Sequence, residues 1–121
     1  MQKSKKTTEK TIDASGMALG RVASIVATAL IGKDKVSFVR NMYSGSPVKV
    51  VNASKIRITP KKLESLSHNR YSGYPGGLKT ISGVYTVKTK GFKELVRLAV
   101  DRMLPKNKLK REMLKNLKVE E

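Results

Sequence analysis

A chain of 121 residues with 26 Lys and Arg against 9 Asp and Glu carries a formal net charge of +17, and it contains no cysteine. The length suits one domain with a modest core, and the missing cysteines exclude disulfides, thiolate metal sites and cysteine nucleophiles. The charge exceeds the magnitude of roughly 2–8 that keeps a small domain soluble, so a polyanionic partner, nucleic acid first, is the expected relief. The excess is spread along the chain: residues 1–60 hold 11 basic and 3 acidic side chains, and residues 61–121 hold 15 and 6. No run of about 18 apolar residues exists, so no transmembrane helix is expected. The polar start "MQKSKKTTEK" lacks the apolar stretch of a secretory signal.

Residues 1–10 read as a basic arm ahead of a single domain over 11–121. "TIDA" (11–14) is a short apolar run with the look of a buried strand, and "SGMALG" a turn. "LGRVASIVATALIG" places Leu19, Val22, Ala23, Val26 and Leu30 on one helical stripe, with Gly32 at the C-cap. After the basic connection "KDKVSFVRNMYSGSP", the segment "VKVVNA" (Val48–Ala53) reads as a second strand. Strand, helix and strand in this order predict a βαβ unit with a parallel sheet. "SKIRITPKKLES" suggests a short element interrupted by Pro60, and "TISGVYTVKTK" a strand near Val84–Val87. "GFKELVRLAVDRMLP" gives a helix with Phe92, Leu95, Val96, Ala99 and Met103 on one face and Pro105 as its stop. Asn107 is placed to cap a last helix, "KLKREMLKNLK". It would turn Leu109, Met113 and Leu117 inward and Lys108, Lys110, Arg111, Lys115 and Lys118 outward. That helix lacks Trp and Phe opposite its cations, which disfavours a membrane surface and favours a phosphate backbone.

The glycines of "SGMALGR" are spaced Gly16-x-x-x-Gly20, which is not a dinucleotide fingerprint. The expected role of Gly20 is to let the helix approach the sheet. Arg21 in the first helical turn opposes the macrodipole, a cost that a bound phosphate would offset. His68 is the single histidine. Without cysteines or an acidic cluster it is a poor metal ligand, and nothing orients it toward Ser67 or Ser72 as a catalytic base. An RNA contact or a structural hydrogen bond remains. Glu64, Glu94, Asp101 and Glu112 stand among cations as ion-pair partners, and Asp13 is placed to cap the turn after the first strand. No enzyme, cofactor or metal is expected. The richest segment is "RYSGYPGGLK". Tyr71 and Tyr74 can stack on bases or pack inward, and Ser72 can bond phosphate or a 2′-hydroxyl. Gly73, Gly76 and Gly77 admit a close approach or a turn. Pro75 stiffens the tip, and Arg70 and Lys79 bracket it with charge.

Five segments taken together resemble one family. They are "IDASGMALGRVAS", "GKDK", "VVNASKIRITPKKL", "RYSGYPGGLK" and "AVDRMLPKNKLKREMLKNLKV". In this order and spacing they are similar to the universal large-subunit ribosomal protein family L-thirteen, in its bacterial form. The resemblance implies a three-layer α/β/α domain around a small, mostly parallel four-stranded sheet, with a basic loop and a C-terminal helix. It implies a non-enzymatic, cytoplasmic ribosome component that binds large-subunit ribosomal RNA early in assembly. It would lie beside neighbouring ribosomal proteins, without a membrane and without obligate homo-oligomers. The RNA-facing groups it implies are Arg21, Lys33, Lys35, Lys61, Lys62, His68 through Lys79 and the cations Lys106, Lys108, Lys110, Arg111, Lys115 and Lys118. Arg40, in the basic connection, joins them. The chain departs from the family pattern there, reading "VSFVRNMYSGSP" where members often carry His, Pro and Asp.

Overall fold

The computed structural model describes residues 8–121, so residues 1–7 of the expected basic arm lie outside the described residues. Strand β1 (Lys10–Asp13) leads through a tight turn into helix α1 (Leu19–Ile31). Asp13 shapes that turn as expected: its Oδ1 accepts from the Ser15 N–H at 2.9 Å and from the Asn52 side-chain amide at 3.0 Å. The Asn52 bond, then the Ser15 bond, hold the Asp13 carboxyl below its ordinary pKa. Helix α1 buries all five residues of the expected stripe and ends at Gly32, whose φ of 85° forms the left-handed cap. Strand β2 (Val48–Val51) then pairs parallel with β1, Ile12 opposite Val50. The βαβ unit stands as the periodicity predicts.

Beyond it several expectations need correction. Pro60 opens helix α2 (Pro60–Ser65) rather than interrupting an element. Its missing N–H is one that a first turn leaves unbonded anyway, and the Thr59 hydroxyl accepts from the Lys62 N–H at 3.4 Å. Strands β3 (Ser67–Tyr71) and β4 (Leu78–Ser82) form an antiparallel hairpin. Val84–Val87 is not a strand but part of helix α3 (Gly83–Lys90). There the Ser82 hydroxyl accepts from the Tyr85 N–H at 3.3 Å and Thr86 is buried. A cap and a packed face outweigh the weak strand preference of β-branched residues. Helix α4 (Phe92–Met103) buries Leu95, Val96 and Val100 and ends just before Pro105, as expected, although Met103 is 43% exposed. The expected last helix is split. Helix α5 covers only Lys110–Lys115, and Leu117–Val119 form strand β5. The Asn107 side chain does not cap it; the Asn107 backbone carbonyl accepts from the Lys110 N–H at 3.3 Å.

The main sheet has the order β1-β2-β5, all parallel, and β3-β4 is a separate sheet. This corrects the expected four-stranded sheet. The two-sided covering is also absent among the described residues. Ile12, Val48 and Val50 point into the core with α1, α4 and Met113, while Thr11, Asp13, Lys49, Val51 and Lys118 on the other face are exposed or half-buried. Parallel strands buried on both faces read as unbroken apolar runs; "VKVV" and "LKV" alternate instead. The outer face carries ion pairs, Lys49–Glu120 at 2.9 Å and Lys118–Glu9 at 3.8 Å.

A polar tie holds the long α1–β2 connection to the end of α5, just before the last strand. The Asn116 side-chain amide donates to the Tyr43 hydroxyl at 2.6 Å in a half-buried setting. Tyr43→Phe leaves that amide without its acceptor. The expected loss is about 1 kcal/mol, read as a lower urea midpoint at unchanged slope.

Candidate nucleic-acid interface

The hairpin projects from the body. Of its ten strand residues only His68 and Ile81 are half-buried; the others are exposed. A lone two-stranded ribbon is marginal in water, so its base is pinned. The Gly83 N–H donates to the Leu66 carbonyl at 2.8 Å, and the Arg102 guanidinium donates to the Ser67 carbonyl at 3.1 Å. At the tip the Gly77 N–H donates to the Tyr74 carbonyl at 3.0 Å, and Gly76 has a φ of 76°. Proline second and a positive-φ glycine third in Tyr74-Pro75-Gly76-Gly77 is the pattern of a type II turn. Gly73 also has positive φ, at 91°. The turn leaves Tyr71 62% and Tyr74 75% exposed, so both rings face outward rather than packing inward.

The structure brings the expected cations into two groups. Arg70 and Lys79 lie opposite one another on the hairpin, and Lys61 and Lys62 sit on α2, which packs against β4. Lys33 and Arg40, after α1, line one cleft with Asn107, next to Lys106, Lys108, Lys110 and Arg111 in the turn before and into α5. Arg21 is exposed in the first turn of α1, and Lys115 is exposed on α5. Three expected contacts have other work. Lys35 is half-buried and donates to the Ser44 carbonyl at 2.9 Å. Lys110 pairs with Asp101 at 3.1 Å. Lys118 is on β5, in the outer-face ion pair, and not on a helix.

His68 sits at the base of the hairpin, half-buried, with Nε2 enclosed and without a hydrogen-bond partner among the described residues. Burial lowers its pKa, the Arg102 charge lowers it further, and Glu94 opposes both. At neutral pH the imidazole is therefore uncharged, and it packs half-buried at the ribbon's root. A lowered folded pKa means that the contribution to stability is complete above about pH 6.5 and is lost as pH falls through the folded pKa. The expected result is a urea midpoint that declines from pH 7 to pH 5 in the wild type and stays flatter in His68→Gln. Equal slopes in the two proteins would contradict this role.

Among the described residues no group of three or more His, Asp or Glu side chains is placed to hold a metal, and no helix is long and apolar enough to cross a membrane. A family model described as "Ribosomal protein L13" matches residues 7–120. Curated relatives named "Large ribosomal subunit protein uL13" are similar over most of the chain. The one from Roseobacter denitrificans is 47% identical over 108 residues, covering 89% of this chain and 70% of its own length. The one from Pelobacter propionicus is 48% identical, covering 89% and 75%, and that from Aquifex aeolicus 48%, covering 89% and 74%.

The chain belongs to the ribosomal protein L13 family. The L13 family consists of structural ribosome components, not enzymes. In this L13 chain the fold also assembles a cleft that its segments do not announce. Tyr85, Lys90 and Arg97 from α3 and α4 join Arg70 and His68 around a cleft of about 390 Å³ beneath the hairpin. Tyr85 is 59% exposed. The signal available in the sequence was the i,i+4 spacing of Tyr85 with Thr89 and of Thr86 with Lys90, hidden by the strand reading of that segment.

Proposed function

We propose that this chain binds large-subunit ribosomal RNA and organises it early in the assembly of the large subunit, in the cytoplasm. It acts as one domain over residues 11–121, in single copy, beside neighbouring ribosomal proteins. The observation that carries the reading is the hairpin. A preformed turn presents two exposed tyrosines, exposed glycine backbone and flanking cations away from the core. Rings stack on unpaired bases, and backbone N–H groups and cations take phosphates. The two groups of cations on separate elements support contacts with more than one RNA segment, whose relative positions the rigid core then fixes. Relatives named as large ribosomal subunit proteins support the assignment to that particle.

Nuclease footprinting on large-subunit RNA tests it, comparing wild type with Tyr71→Ala/Tyr74→Ala and with Lys79→Glu. These positions are exposed, so circular dichroism should be unchanged. Gly76 is avoided, because its φ of 76° strains any replacement. The double tyrosine variant should lose protection at one RNA segment and keep it elsewhere. Wild-type footprints in both variants would remove the hairpin from the interface.

A further inference from the structure

The connection between α1 and β2 exposes apolar side chains that a plain linker would not. Val39 is 49% and Met42 68% exposed. The segment is nonetheless shaped by its own bonds. The Phe38 N–H donates to the Lys35 carbonyl at 3.2 Å, and the Met42 N–H to the Val39 carbonyl at 3.3 Å, which puts Arg40 at the tip of a tight turn. Lys35 and Tyr43 fasten its two sides through Ser44 and Asn116. Phe38 and Met42 thereby border a cleft of about 460 Å³ shared with Leu104 and Met113, both 3% exposed. That volume is in the range of small-ligand sites. The rim holds Lys33 and Arg40, no carboxylate lines the cleft, and the basic turn 106–111 continues from it.

An apolar floor behind a cationic rim selects its occupant. Duplex backbone would satisfy the rim and leave the floor wet. An apolar peptide would fill the floor and leave the rim cations without counter-charges. An unstacked nucleobase with phosphates on either side satisfies both. The geometry points to a base-capture pocket: one base, extruded from bulged or single-stranded RNA, enters between Phe38, Met42, Leu104 and Met113, with its flanking phosphates on Lys33 and Arg40. The inference rests on the RNA-binding reading above and adds a second, hairpin-independent site.

The test uses the full chain and a short RNA hairpin with one bulged 2-aminopurine, against the same hairpin abasic at that position. The base-bearing RNA is expected to bind about tenfold tighter. Met42→Ala, at an exposed position, and Phe38→Ala should each shrink that preference while leaving the abasic affinity and the salt slope unchanged. Equal binding of the two RNAs by the wild type overturns the pocket and leaves the RNA-binding reading standing. Failure to bind either hairpin or large-subunit RNA overturns both. In assembled large subunits, a benzoylphenylalanine at position 42 should crosslink to RNA. Crosslinking to protein alone would give the cleft a peptide occupant and overturn the proposal.

Discussion

Raising the salt from 50 to 200 mM is expected to weaken binding to large-subunit RNA by about 10³–10⁵-fold, the loss for roughly 6–10 phosphate contacts. The structure makes such a contact number reachable. Ion pairs among the described residues engage Lys10, Lys49, Arg97, Lys110 and Lys118. Lys61, Lys62, Arg70 and Lys79 around the hairpin, and Lys33, Arg40, Lys106, Lys108 and Arg111 at the far end of α1, are outside those pairs and exposed. Each that meets a phosphate releases condensed counterions, so each adds close to one unit to the slope of log affinity against log salt. Filter binding at four salt concentrations measures that slope. Lys79→Ala should reduce it by about one. Tyr74→Ala should lower affinity at every salt without changing it, because stacking displaces no counterions. A flat profile for the wild type would refute the electrostatic mechanism. A tyrosine variant with an altered slope would show that the ring positions a cation instead of a base.

What the sequence makes legible here is what local chemistry decides. The stripe from Leu19 to Leu30 with Gly32 after it specifies α1 without help from the rest of the chain. "SGYPGG" specifies its turn because proline and a positive-φ glycine sit at the positions a type II turn demands. The misread segments are those settled by tertiary packing. "GVYTVKTK" has residues that favour strands, yet a serine cap and the burial of Gly83 and Thr86 make it helical. "LKV" continues a helical pattern but finds an open edge of β2 and completes the sheet there. The site divides the same way. Tyr71, Tyr74 and Lys79 announce themselves through composition, whereas the cleft holding Tyr85, Lys90 and Arg97 exists only once α3 and α4 pack beneath the hairpin. Lys35 shows the converse: charge marks it as a phosphate contact, and the fold spends it on the Ser44 carbonyl.

Two glycines make the same point with opposite signs. Gly20, expected to permit close packing of α1, has nothing within 4 Å of where a Cβ would stand. Gly45, in a connection with no pattern of its own, is buried, and a Cβ there would overlap the Leu30 carbonyl oxygen and crowd the Leu30 carbonyl carbon at 2.7 Å. The backbone of 44–46 lies directly on the last turn of α1. The Ser46 N–H donates to the Ala29 carbonyl at 3.4 Å, and a Cβ on Gly32 would in turn meet the Gly45 backbone at 3.2 Å. This contact sets how the chain leaves α1 and enters β2, and β2 is the central strand of the sheet. Relief would require moving backbone, not a flexible side-chain end. Gly45→Ala is therefore expected to cost about 3 kcal/mol, the upper end of overpacking penalties, which is a large part of the roughly 5–15 kcal/mol that holds a domain together. Gly20→Ala should instead add about half a kcal/mol by lowering the backbone entropy of the unfolded chain. Urea unfolding of the pair decides between packing and mere glycine content. Similar small effects from both would show that the α1–β2 crossing yields easily. A large loss confined to Gly45→Ala would fix the crossing as the contact that registers the core, and with it the connection that carries Phe38, Arg40 and Met42.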